Sequence, residues 1–185
     1  PIASPVLIIL KQKLKPTDQP RYRFVVDYRM VNSVIEQHGF RVNTCENLWY
    51  TLDDAVFIST ADAADGYWLA PLDPATAWLT AFDTPDGRME WTCLPMGVQP
   101  ASGWFQSWME DILARNNLLY TGEANRRRNP DTGEWENFVI VYQDDLIWYS
   151  ATEADHDEMT AKFLDVFTAE KLYLNPNKLH TPLKC

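Results

Sequence analysis

Phe138-Val139-Ile140-Val141-Tyr142-Gln143-Asp144-Asp145-Leu146-Ile147-Trp148-Tyr149-Ser150 is the stretch that decides the fold. Two near-continuous apolar runs bracket three polar residues, the pattern of two buried strands joined by a tight turn. The polar residues need an explanation of their own. Adjacent carboxylates repel, and few packing reasons place both in a turn between core strands. A divalent cation removes the conflict, because hard oxygen ligands are what Mg²⁺ prefers. A plain polar β-turn also accounts for an isolated Asp-Asp, and spacing alone leaves both readings open.

Working outward, a strand predicted over residues 56–60 delivers a third carboxylate, Asp62, at its far end. If that strand lies beside the 138–150 hairpin, three carboxylates converge and can hold the two metals of an in-line phosphoryl displacement. Short β-rich runs at 6–10 and 22–26 flank Lys15-Pro16-Thr17-Asp18-Gln19-Pro20, a turn or loop. Residues 44–52 read as a short helix capped by Thr44. Residues 78–82 and 88–93 read as strands joined by Thr84-Pro85-Asp86-Gly87, where Pro fixes φ and Gly tolerates φ > 0. Phe105, Trp108, Met109 and Ile112 give residues 101–115 one apolar helical face. The polar stretch 116–137 reads as a long excursion. A last helix starts from a Ser150 or Thr152 cap and buries Met159, Phe163, Val166 and Phe167. This order predicts an α+β fold, a mostly antiparallel sheet covered by helices.

Composition sets the outer limits. The chain has 185 residues, 46% of them hydrophobic, with 8 Trp, 8 Tyr and 8 Phe, enough for a sizeable core rather than disorder. Its longest apolar run, residues 5–10, is too short to span a bilayer and resembles no signal peptide, so no membrane role is expected. The first residue is Pro, which suggests a piece of something longer. Cys45, Cys93 and Cys185, like His38, His156 and His180, are scattered without metal-ligand spacing; buried or incidental thiols in a reducing, intracellular compartment are expected. The net charge of −10 argues against a nucleic-acid partner until its distribution is read: residues 1–41 carry +4, leaving −14 for the rest. A basic N-terminal segment suits phosphate, and an acidic remainder suits metal.

Several motifs then follow in order. Tyr142-Gln143-Asp144-Asp145 resembles the Tyr-x-Asp-Asp box of reverse transcriptases. Ser4-Pro5-Val6 and Arg21-Tyr22-Arg23-Phe24-Val25-Val26-Asp27-Tyr28-Arg29-Met30-Val31-Asn32 resemble the fingers signature of gypsy-type LTR retrotransposon enzymes. Phe57-Ile58-Ser59-Thr60-Ala61-Asp62 with Gly66-Tyr67-Trp68 is similar to that family's first-aspartate motif. Thr80-Ala81-Phe82, Leu94-Pro95-Met96-Gly97, Phe105-Gln106 and Leu174-Asn175-Pro176-Asn177-Lys178 complete the series. The ordered set covers essentially the whole chain and is more specific than any single motif.

The resemblance implies a right-hand polymerase, with fingers over about 1–36 and 70–100 and palm over about 37–69 and 101–185, ending before thumb and RNase H. It implies an RNA-directed DNA polymerase that transfers deoxynucleotides to a primer 3′-hydroxyl on an RNA or DNA template. The cofactor would be two Mg²⁺ ions, with Mn²⁺ as substitute, held by Asp62, Asp144 and Asp145. Deoxynucleoside triphosphates would meet Arg23, a fork of donors suited to phosphate, with Lys13 or Lys15 as a second contact. Tyr67 would be the aromatic steric gate under the sugar, and Met96 and Gln106 would line the pocket. The remainder of a retroelement polyprotein is the implied partner, and the cytoplasm or a virus-like particle the implied location. Leu69 and Met96 depart from the family pattern, as does Gln99-Pro100-Ala101-Ser102-Gly103-Trp104. The rival to the enzyme is a remnant that keeps the fold as an interaction domain. Read from the residues alone, Arg23 is a surface strand residue, Tyr67 a core aromatic, and Arg126-Arg127-Arg128 either a solvated loop tip or a phosphate contact.

Overall fold

The hairpin expected at residues 138–150 belongs to a four-stranded antiparallel sheet in the computed structural model, which describes residues 3–10, 19–36, 50–52, 55–63, 66–122, 126–142, 145–176 and 178–184. In chain order the elements begin β1 (Val6–Leu10), β2 (Tyr22–Val26), α1 (Arg29–Asn32), β3 (Phe57–Asp62), α2 (Gly66–Leu69), β4 (Phe82–Thr84), β5 (Gly87–Met89) and α3 (Ala101–Arg115). They continue with β6 (Arg127–Arg128), β7 (Trp135–Glu136), β8 (Ile140–Tyr142), β9 (Asp145–Ser150), α4 (Glu153–Ala169) and β10 (His180–Lys184). The fold is α+β. Two compact units divide the chain: Pro1–Gly39 with Tyr67–Ala101, and Phe40–Gly66 with Ser102–Cys185. The helix expected at 44–52 lies mostly outside the described residues.

In the second unit the sheet order is β10-β3-β9-β8. Alternation along β3 buries Phe57, Ser59 and Ala61 while Ile58, Thr60 and Asp62 stay half-buried on the other face. β9 is buried along its whole length except Asp145 at its start. α4 begins where Thr152 Oγ1 accepts from the Asp155 amide, the predicted cap. His156, Met159, Phe163 and Phe167 recur at helical spacing and are buried. Phe163 stacks on Trp148 at 4.5 Å and meets Phe167 at 4.3 Å, so one aromatic column ties helix to sheet.

His156 is a buried polar member of this core, 1% exposed, with Nε2 2.7 Å from Ser59 Oγ and no hydrogen-bond partner for Nδ1. Burial pushes its pKa down from 6.5, partly offset by Asp157. The unfolded chain therefore takes up the proton first as pH falls. Its stability contribution is complete above about pH 6.5 and is lost as pH drops through the lowered folded value. Melting temperature should fall between pH 7.5 and 5, and His156→Gln should flatten that slope. An unchanged slope in the variant would assign the pH dependence to other groups.

Within the 116–137 excursion, residues 127–136 form a hairpin. β6 and β7 pair as Arg127↔Glu136 and Arg128↔Trp135. Arg126 lies 4.4 Å over the Tyr149 ring and donates to its carbonyl oxygen at 3.1 Å. Arg128 lies over Trp135 and bonds both Asp155 and Glu158 of α4. Arg127 and Arg128 stay exposed, as the solvated reading expects, while the first and third members of the triplet also pin the hairpin to the sheet and helix. Sequence missed this because the aromatic and acidic partners lie 7 to 30 positions away.

The first unit explains the Asp-Tyr-Arg-Met-Val-Asn run residue by residue. Asp27 and Arg29 form a two-pronged pair, which holds the Asp27 carboxyl down at about 2. Tyr28 is buried and donates to the Thr80 carbonyl at 2.9 Å. Asn32 donates to the Gly97 carbonyl at 2.9 Å and accepts from the Gln99 amide at 2.8 Å. Gly97 has φ +97, which disfavours an L side chain. The strand predicted over 78–82 is instead a 3-10 turn at Ala77–Thr80, because the Asp73 side chain and carbonyl collect the amides of Ala75, Thr76 and Ala77. The Pro85-Asp86 turn forms as expected between shorter strands, with Gly87 at φ +122.

Candidate active site

Antiparallel register carries the site. β3 and β9 pair from Phe57↔Ser150 to Asp62↔Asp145, so the two carboxylates stand directly opposite at the end of the ladder. Like charges in that position are destabilising without a counter-ion. The Asp62 side chain is 15% exposed, and the Lys178 ammonium sits 3.0 Å from its Oδ2. Asp145 is exposed. Asp144 lies outside the described residues, as do Lys13 and Lys15. Among the described residues no group of three or more His, Cys, Asp or Glu side chains could hold a metal ion. The described pair still fits a divalent metal by donor chemistry: hard oxygens on adjacent strands, with a cation of the chain already drawn to one of them.

The remaining predicted residues are distributed between the units. Arg23 is exposed on β2, opposite Ile9 of β1. Tyr67 is half-buried in α2, and its carbonyl accepts from the Ala70 amide at 3.3 Å. Trp68 beside it stacks on Trp91 at 6.2 Å. Met96 is 56% exposed on the loop that Asn32 clamps. Those residues belong to the first unit, whereas Asp62, Asp145 and Gln106 belong to the second. Gln106 is buried in α3 and donates to Glu110 at 2.8 Å. Reading the sequence left two residues unassigned that the structure picks out, Asn32 and Lys178. Both sit in quoted motifs, yet their partners are residues that only the fold brings together.

Gly66 has a packing reason to be glycine. A Cβ there would stand 2.9 Å from Phe105 Cζ and 3.4 Å from the Ala63 methyl. Phe105 is 2% exposed and cannot swing away. Gly66→Ala should cost about 1–3 kcal/mol of stability, and Phe105→Leu in the same chain should recover part of it. Denaturant midpoints of the two variants check this; an alanine variant as stable as the parent would remove the constraint.

The structure resembles the foamy viral protease–reverse transcriptase solved in complex with an RNA/DNA hybrid, with a TM-score of 0.70 and 22% identity over 97% of this chain and 21% of that one. The fold is that of a reverse transcriptase. The family model described as "Reverse transcriptase (RNA-dependent DNA polymerase)" matches residues 9–183, and the chain belongs to that family. Among its relatives, the Pol polyprotein of transposon opus from Drosophila melanogaster is 27% identical over 180 residues, 97% of this chain and 16% of that protein. The enzymatic polyprotein of Figwort mosaic virus is 28% identical over 134 residues, 72% of this chain and 17% of that protein. The chain therefore spans less than a fifth of the length of those two relatives. No helix among the described residues is long and apolar enough to cross a membrane.

Proposed function

We propose that the chain is the fingers and palm of a gypsy-type LTR retrotransposon reverse transcriptase, an RNA-directed DNA polymerase working within a longer polyprotein. The observation that carries the proposal is the Asp62↔Asp145 pairing at the end of the central ladder in a chain of this family. Fingers correspond to about 1–36 and 70–100, palm to the rest. In the reaction the primer 3′-oxygen bonds to the α-phosphorus of a deoxynucleoside triphosphate, pyrophosphate leaves, and the hydroxyl proton is lost. Asp62, Asp144 and Asp145 would hold two Mg²⁺ ions, or Mn²⁺ in their place, which when bound would supply activation of that hydroxyl and neutralisation of the phosphate charge.

The chain's own residues do the positioning. Asp62, enclosed and opposed to Asp145, presents its carboxylate at a fixed place at the end of the ladder. Arg23, on an exposed strand face, offers its guanidinium fork to the triphosphate. Tyr67 excludes the 2′-hydroxyl of a ribonucleotide. Met96 lines the pocket from a loop that Asn32 holds at two points. Gln106, engaged with Glu110 on its own helix, is a further substrate-binding residue in this reading. The template is RNA or DNA with an annealed primer, and the setting is the cytoplasm or a virus-like particle. Primer extension with Mg²⁺, run on this chain and on a longer form carrying the segments its relatives add, is the test. Incorporation directed by an RNA template supports the reading; a longer form that binds primer-template and incorporates nothing supports the remnant.

A further inference from the structure

We propose that Lys178 is the resident cation of the carboxylate site, holding Asp62 when no metal is bound and giving way to a divalent ion. The inference rests on the metal reading of Asp62 above. The Lys178 ammonium lies 3.0 Å from Asp62 Oδ2, with the carboxylate side chain 15% exposed and the lysine side chain 59% exposed. An enclosed anion is thus met by a cation that reaches in from solvent. The backbone fixes this approach. Leu174 bridges Ala63, the Asn175 amide donates to the Asp62 carbonyl at 2.9 Å, and His180 pairs with Thr60. The stretch from Leu174 to His180 counts seven residues against four from Thr60 to Ala63, and Lys178 belongs to that longer side. The Lys178 amide also donates to the Asn175 carbonyl at 3.0 Å.

The chemistry follows from that placement. Asp62 faces Asp145 across the ladder, and the pair repels without a counter-charge. Lys178 supplies one positive charge on a long stem, so it relieves the repulsion without occupying the site permanently. An ammonium on Asp62 Oδ2 and a divalent ion on the same carboxylate repel each other at close range, so each weakens the hold of the other. Metal entry is therefore an exchange, and the affinity measured for metal includes the cost of displacing Lys178. An ordinary exposed ion pair, by contrast, is worth little and would leave metal affinity unchanged.

The test is Mn²⁺ binding to the full chain by electron paramagnetic resonance and calorimetry, with melting temperature recorded in EDTA and in saturating Mn²⁺. Lys178→Met should bind Mn²⁺ about fivefold more tightly than the parent. It should melt earlier in EDTA and match the parent once Mn²⁺ is saturating. Lys162→Ala makes the same change in net charge, from a side chain paired to Glu134, and should leave Mn²⁺ affinity unchanged. Equal affinity in Lys178→Met and the parent, or equal tightening in Lys162→Ala, overturns the exchange while leaving the metal site in place. Mn²⁺ binding to the parent that survives Asp62→Asn overturns the metal reading itself, and the exchange with it.

Discussion

Asp62→Asn and Asp144→Asn will each stop nucleotide addition, lowering the incorporation rate by about 10²–10⁴-fold, the equivalent of several kcal/mol of metal-borne transition-state stabilisation. Asparagine keeps the size and one oxygen of the side chain but removes the charge that holds a divalent ion. Position separates the two described carboxylates. Asp62 is enclosed at the end of a ladder whose other members are fixed by pairing, so solvent cannot replace its charge. Asp145 opposite is exposed, and Asp145→Asn should leave a measurable remainder. Single-turnover primer extension with circular dichroism as a fold control makes the measurement. Near-parental turnover in either of the first two variants, with the fold intact, would remove the two-metal assignment.

The second large effect concerns which sugar is accepted. Tyr67→Val should admit ribonucleotides, reducing discrimination by about a hundredfold, ~2.7 kcal/mol, while largely sparing deoxynucleotide use. Discrimination of this kind comes from excluding a group, so it depends on ring bulk, and Tyr67→Phe should change little. Tyr67 is half-buried and absent from the closed core of its unit. A core role would instead make truncation cost about 3 kcal/mol or more through the cavity left behind. Ribonucleotide incorporation and melting temperature, measured on the same valine variant, decide the matter. Early melting with no gain in ribonucleotide use would make Tyr67 a packing residue.

The β8–β9 hairpin was legible because two signals agreed there, apolar runs of strand length and a charged turn that packing alone does not require. Helices α3 and α4 were equally plain, since Phe105, Met109 and Ile112 in one and Met159, Phe163 and Phe167 in the other recur at helical spacing. The 3-10 turn at Ala77–Thr80 was hidden by its composition: Trp78 and Leu79 look like strand residues until the Asp73 hydrogen bonds are seen. The β6–β7 hairpin was hidden for another reason. Its hold on the sheet comes from arginines lying over Tyr149 and Trp135, and composition does not reveal which ring a guanidinium will find. His156 looked incidental for the same cause, as Ser59 is 97 positions away.

The pairing of β3 with β9 has a consequence for how the protein is made. The two strands that bring Asp62 and Asp145 together are separated by about 80 residues of chain, and the whole of the first unit's second segment is synthesised between them. β8, β9 and α4 are neighbours in sequence and can assemble among themselves soon after they leave the ribosome. β3 must wait, with Phe57 and Ala61 lacking their final cover, until that partner arrives. Pairings over such distances close slowly, because the loop entropy is lost before any contact compensates for it. During that interval the waiting strand is a template for pairing with another nascent chain. The acidic residue at its end gives that edge a charge that discourages such pairing until the partner strand arrives.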